Sequence, residues 1–261
     1  IRQCLPEVQR VSSYCLPRNL RKKSVEELRE LADAGLGMAY VGAESGDDEV
    51  LALVNKGETY ESTLSALDKL GQAGIARSVM ILNGLGGRRL SRQHARNSAR
   101  LMNAAQPEFL STLVVSFPQG ENRFRQAFED FESLPPDELL RELEWLLADL
   151  ELSDTVFRSD HASNYLVLKG VLGADKPGLL RRIREAIEDP RNAPLRQEWQ
   201  RGLYAFVLCV LSIAGVRANA LSGVDAALPA ESPVFRRRHL EMRSMRFLFG
   251  MSGLLATLAF A

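Results

Sequence analysis

Cysteine is scarce in this chain: Cys4, Cys15 and Cys209 are the three in 261 residues, with ten residues between the first pair and the third far away. That spacing excludes a disulfide scaffold and favours a reducing, cytoplasmic setting. No H-x-x-x-H, H-E-x-x-H, paired C-x-x-C or G-x-S-x-G occurs, which removes zinc peptidases, zinc ribbons and hydrolase elbows. No metal ligand set is therefore assigned within these residues. An excess of either charge is also missing: 33 basic and 33 acidic side chains balance to zero, so no electrostatic footprint of a nucleic-acid binder is visible. Long apolar runs are absent as well. The apolar-rich stretches 203–216 and 247–261 are 14 and 15 residues long, short of the roughly 20 that span a bilayer. They read as a buried or surface-docked helix pair. A membrane-contacting tail and a segment foreign to the preceding domain stay open as alternatives. The chain begins at Ile1 with no charged-then-apolar leader, and the true N-terminus is expected upstream.

What the chain does have is a strand–turn–helix unit at residues 40–57, YVGAESGDDEVLALVNKG. Residues 38–41 form an apolar run of strand type. Glu44, Ser45 and Gly46 make a polar turn. Residues 47–55 read as a helix, with Val50, Leu51 and Val54 at helical spacing and two aspartates at its positive start. Around this unit the pattern repeats. Strands are expected at 10–16, 76–82 and 109–117, and helices at 24–34, from 59 or 60 to 74, and at 91–105. Strand and helix alternating at this spacing means parallel pairing with right-handed crossovers. Three strands end apolar and then give Glu44 and Ser45, Asn83 and Gly84, and Ser116. Such a switch marks the ligand face of a TIM-like barrel or half-barrel. Gly42, Gly46, Gly84, Gly86 and Gly87 would let backbone approach a flat or anionic ligand. Each loop can also be read as merely polar.

Beyond residue 118 the pattern becomes mostly helical. Helices are expected at 137–150 and 177–187, with a short strand at 155–158. The organisation expected is a partial barrel over 1–118, a helical extension over 119–202 and the apolar tail over 203–261. Within the extension, SDHASNY at 159–165 is the densest polar cluster. There Asp160 and Asn164 could orient His161 for proton transfer, or the segment is a hydrogen-bonded turn. His94, in a helix among arginines, reads as a surface histidine, with a substrate contact as the other reading. Lys56 reads in one way as a solvated cation at a helix end.

These residues resemble the radical S-adenosylmethionine (radical SAM) superfamily, over roughly residues 1–202 and best over 10–87. YVGAESGDDEVLALVNKG resembles the fourth strand and following helix of that barrel, VMILNGLGG the fifth strand, and LSTLVVSFP the sixth. The resemblance implies an α/β fold, a partial TIM-like barrel, with S-adenosylmethionine and a [4Fe-4S] cluster as cofactors, and an electron donor and a small-molecule substrate as partners. It places Glu44 and Ser45 toward the cofactor's ribose or amino-acid end, Lys56 toward its carboxylate, and Gly84 and Gly86 against its adenine. Asn83 would reach the same ligand, and Ser116 completes the rim. The family's C-x-x-x-C-x-x-C does not occur, Gly86 stands where proline is usual, and Arg88 where glutamate is usual. The chain is thus expected to be a barrel lacking its cluster-binding N-terminal third, inactive by itself. A non-radical barrel enzyme on a small anionic metabolite, using Glu44 and His161, and a degenerate barrel serving as a binding or scaffold subunit remain the alternatives.

Overall fold

The computed structural model describes residues 7–8, 10–117 and 122–201. Cys4, Cys209, the tail expected over 203–261 and the boundary expected at 118/119 lie outside the described residues. The described residues form one compact unit.

The order of elements is β1 Val11–Cys15, α1 Pro17–Leu20, α2 Val25–Asp33, β2 Leu36–Glu44, α3 Asp48–Leu53, α4 Tyr60–Gln72, β3 Ala76–Asn83, α5 Gly87–Ala105, β4 Phe109–Val114, α6 Asn122–Ala127, α7 Pro136–Asp149, β5 Val156–Ser159, β6 Leu168–Val171 and α8 Lys176–Glu188, with a 3-10 turn at Glu198–Gln200. The six strands lie side by side in chain order. Pairs β1–β2, β2–β3, β3–β4 and β4–β5 are parallel, and β5–β6 is antiparallel. Sequential parallel order with helical crossovers is the arrangement of a barrel wall.

Local chemistry explains the boundaries. Ser24 caps α2 by accepting the Glu27 N–H, and Glu27 returns to the Ser24 N–H. Thr59 caps α4, and Asp47 caps α3 by accepting the Val50 N–H at 2.9 Å. Helices α1 and α6 and strand β6 escaped the sequence patterns, and α5 starts earlier than expected. Helix α1 begins with Pro17 at its first turn, between the strand expected at 10–16 and the helix expected at 24–34. Helix α5 begins at Gly87, four residues before the expected 91. Strand β6 was hidden because it is four residues long.

Helices cover one face of the sheet. On that face Ala39, Val41, Ala43, Val79, Ile81, Leu110, Phe157 and Leu168 join one core with residues of α2, α4, α5, α7 and α8. In β4 the alternation is complete: Leu110, Thr112 and Val114 are buried, and Phe109, Ser111 and Leu113 are half-buried. Register carries that second, open face across the sheet. Tyr14 pairs with Tyr40, Tyr40 with Ser78 and Ser78 with Phe109. One step along, Gly42 pairs with Met80, Met80 with Ser111 and Ser111 with Arg158. Tyr14 is 47% exposed and its ring lies 5.0 Å from that of Tyr40.

Candidate functional site

Strand β2 ends on the carboxylate that the sequence singles out. The register with β3 slips between Gly42 and Glu44, a bulge that re-aims the side chain beyond it. Glu44 has φ +66°, and the Ser45 N–H reaches back to the Ala43 carbonyl at 2.8 Å. Glu44 is therefore the centre of a γ-turn with positive φ, a rare conformation that costs a non-glycine residue about 1–3 kcal/mol. Its carboxylate folds over Gly42: a Cβ on Gly42 would stand 2.5 Å from Glu44 Oε1 and 3.9 Å from Lys56 Nζ. Since Gly42 is in register with Met80 on the open face, this carboxylate is presented on that face as well.

Lys56 arrives from the far end of α3. The helix closes in a Schellman motif. Asn55 is left-handed at φ 52°, its N–H donates to Ala52 O at 3.0 Å, and the Lys56 N–H donates to Leu51 O at 2.9 Å. The left-handed turn throws Lys56 back beneath the rim, where its Nζ lies 2.9 Å from Glu44 Oε1. Lys56 is 3% exposed, which corrects the reading of it as a solvated helix-end cation. Among the described residues, Glu44 is the one side-chain partner of Lys56, and Lys56 that of Glu44.

Ser45 lies on the same turn but serves the scaffold. It is fully buried, its hydroxyl lies 2.8 Å from His94 Nδ1, and its oxygen accepts the Asp47 N–H at 3.0 Å. The Gly46 N–H donates to Ser98 Oγ at 3.0 Å, and Asn97 donates to Asp47. These contacts bolt the turn onto α5. His94, expected at the surface, is 1% exposed. It belongs to the inner face of α5 with Leu90, Ser91, Ser98 and Leu101, and the abundance of arginine on the outer face masked it. Its Nε2 lies 3.0 Å from Leu82 O, a carbonyl that only accepts, so the proton is on Nε2 and Ser45 donates to Nδ1. Burial pulls its pKa down to about 4.

Glu142, on α7, had no sequence signal beyond being an acid in an apolar stripe. Its Oε1 accepts the Gly84 N–H at 2.6 Å and its Oε2 the Ser91 hydroxyl at 2.5 Å. It is 1% exposed, and burial pushes its pKa up to about 7. His94 Nε2 lies 3.8 Å from Glu142 Oε1, so near pH 6 these are two uncharged neighbours. Asn83 donates from Nδ2 to Leu139 O at 3.0 Å. A Cβ on Gly84 would stand 2.9 Å from Leu139, and one on Gly86 3.1 Å from His94 Cβ. Helices α7 and α5 thus fill the space that these glycines leave, and the backbone approach expected for an adenine is closed there. A recess beside them, lined by Asn83, Val114, Leu139 and Tyr165, has a volume of about 10 Å³, room for one water. Parallel pairing does bring the ends of β2, β3 and β4 to one rim. Glu44 is on its open side, Asn83 on its helix side, and Ser116 is exposed beyond β4.

His161 has other neighbours than those expected. Asp160 pairs with Lys169 at 2.8 Å, and Asn164 accepts the Val114 N–H and donates to Thr112 O. The imidazole Nδ1 meets Ser163 Oγ at 2.9 Å and accepts the Ser163 N–H at 3.1 Å, as the cap of a turn. Desolvation and then Arg196 hold its pKa below the usual value.

Comparison with known proteins finds a match over part of the chain. Residues 3–102 match the model of the radical SAM superfamily. Two solved structures are similar in part. One is the archaeal Methanocaldococcus infernus Elp3 with an N-terminal deletion, at 14% identity over 69% of this chain and 42% of that one, with a TM-score of 0.47. The other is the radical S-adenosylmethionine methyltransferase TsrM from Kitasatospora setae, with cobalamin and a [4Fe-4S] cluster bound, at 16% identity over 68% and 45%, with a TM-score of 0.38. The chain spans less than half the length of either. No curated protein matches it in sequence.

The two cofactors that go with the matched superfamily fare differently. Among the described residues no group of three or more His, Cys, Asp or Glu is placed to hold a metal ion. Burial pushes the Cys15 thiol up to about 11, away from the thiolate that an iron ligand must be. These residues do not fit the cluster. The Glu44 corner has the acceptor chemistry that a hydroxyl-bearing ligand would use. It offers a carboxylate on the open face, with Lys56 on one oxygen, above a glycine whose missing Cβ leaves the room it needs. Also among the described residues, no helix is long and apolar enough to cross a membrane.

Proposed function

We propose that this chain is part of a radical SAM enzyme and that its open sheet face takes S-adenosylmethionine, with Glu44 on the ribose hydroxyls. The supporting observation is the strained γ-turn that presents Glu44 within the matched residues. Backbone strain in a packed structure concentrates where function needs it. Bound there, the cofactor supplies radical hydrogen abstraction. This chain's residues hold and orient it: Glu44 accepts hydroxyl hydrogens, Lys56 fixes the carboxylate, and α5 locks the turn through Ser45, Gly46 and Asp47. The cluster cysteines belong, on this reading, to sequence upstream of Ile1, so the 261-residue chain does not cleave S-adenosylmethionine reductively.

The test is titration of the full chain with S-adenosylmethionine, followed by amide NMR shifts. Glu44→Gln keeps an acceptor for Lys56 but leaves its buried ammonium without a counter-charge, so it is expected to lower the melting temperature and, measured well below that temperature, to weaken binding about tenfold. Equal affinity in wild type and variant, or shifts confined to residues remote from β2, overturns the reading. Reductive cleavage by the chain itself, after reconstitution with iron and sulfide, overturns the placement of the cysteines.

A further inference from the structure

We infer that Lys56 is a positioning residue that acts through Glu44, so that the pair reads an uncharged vicinal diol and takes no part in holding a ligand carboxylate. The inference rests on the adenosyl reading above and assigns Lys56 within it.

Three observations carry it. Lys56 Nζ is 2.9 Å from Glu44 Oε1, and that oxygen occupies the place of a Gly42 side chain, with Nζ 3.9 Å from where its Cβ would be. The Lys56 side chain is 2% exposed and that of Glu44 12%, so of the two the carboxylate is the one a ligand reaches. The Schellman closure of α3 fixes the approach of Lys56 through Asn55 and the Leu51 carbonyl, independently of any ligand.

The pair carries no net charge. A ligand carboxylate would meet Glu44 as soon as it met Lys56, and an incoming cation the reverse. A hydroxyl meets neither penalty, because it donates to the carboxylate and its oxygen accepts. Lys56 also uses one carboxylate oxygen and so leaves Oε2 for the ligand in a fixed direction, which neither a freely rotating glutamate nor a glutamine provides.

The experiment uses the full chain with three probes: adenosine, 2′,3′-dideoxyadenosine and S-adenosylhomocysteine, which adds a free carboxylate. Wild type is expected to prefer adenosine over the dideoxy compound about tenfold. Lys56→Met should reduce that preference to within about twofold and weaken adenosine and S-adenosylhomocysteine equally. Because Lys56→Met leaves Glu44 buried without its partner, Glu44→Gln/Lys56→Met is measured alongside. It restores the melting temperature as an uncharged pair and still lacks the preference. A preference kept in either variant overturns the inference while the adenosyl reading stands. A loss confined to S-adenosylhomocysteine also overturns it, because Lys56 would then hold the carboxylate. Absence of any hydroxyl preference in wild type overturns the adenosyl reading and this inference together.

Discussion

Gly42 shows how one missing atom makes room for chemistry. Its Cβ would stand 2.5 Å from Glu44 Oε1, the end of a side chain that can swing away. Gly42→Ala is therefore expected to change unfolding free energy by less than about 1 kcal/mol and to weaken adenosine binding about tenfold, measured by urea titration and calorimetry. Gly46 is the opposite case. Its Cβ would stand 2.3 Å from the Asn97 carbonyl oxygen and 2.8 Å from Ser98 Cα, and helix backbone cannot step aside. Gly46→Ala should cost about 2–3 kcal/mol in the same titration. Sequence reading singled out both glycines as places for close backbone approach but could not distinguish them, because the neighbour that decides for Gly46 is carried by the same chain some 50 residues away. His94 and Glu142 likewise become informative only together. His94 is held down to about 4, so its contribution to stability is present above its unfolded value near 6.5 and is lost as pH falls toward 4. Glu142 is held up to about 7, so its contribution is present below its unfolded value near 4.3 and is lost as pH rises toward 7. The slopes oppose each other between about pH 4.5 and 6.5. Wild-type stability should be nearly flat there. Glu142→Gln, which removes one slope, should make it rise with pH by on the order of 2 kcal/mol across that window, read from urea midpoints. A flat profile in the variant would mean that His94 does not stay neutral.

At the scale of elements, α3 is a six-residue helix that delivers its cargo from both ends. Asp47 closes its start, and Asn55 turns its exit so that Lys56 returns to Glu44. The sequence N-K-G is legible in those terms, since asparagine is the non-glycine residue most at ease in the left-handed region. Asn55→Gly should leave stability within about 0.5 kcal/mol. Asn55→Val, β-branched at φ 52°, should lose about 1–2 kcal/mol and, by misdirecting Lys56, lower adenosine affinity in the calorimeter. Helix α7 was legible as a helix from its leucine stripe, yet its role was not. Its first turns cover the end of β3 through Leu139 and Glu142, and this takes Asn83 and Gly84 away from the ligand side.

On the scale of the whole molecule, the sheet has two unlike faces, and this division sets where a ligand can lie. Val79 is fully buried among the helices, whereas Tyr14 is 47% exposed on the other face. Val79→Asp should unfold the chain, with a loss above about 4 kcal/mol. Tyr14→Ser should change stability by less than about 1 kcal/mol, and thermal melting separates the two outcomes. The alternation that makes these faces was readable in the sequence: period-2 strands and period-3.6 helices dictate parallel crossovers, and Glu44 at a strand end follows from the chain alone. Caps such as Ser24, Thr59 and Asp47 are equally local, because they satisfy donors three residues away. What only the tertiary structure decided is which polar groups at the rim remain available. Ser45, Asn83 and Gly84 meet partners on α5 and α7, and Lys56 turns inward to Glu44. The reason is physical: a buried polar group must find a partner, and in these cases the partner comes from an element packed against it, at a separation that no local pattern encodes.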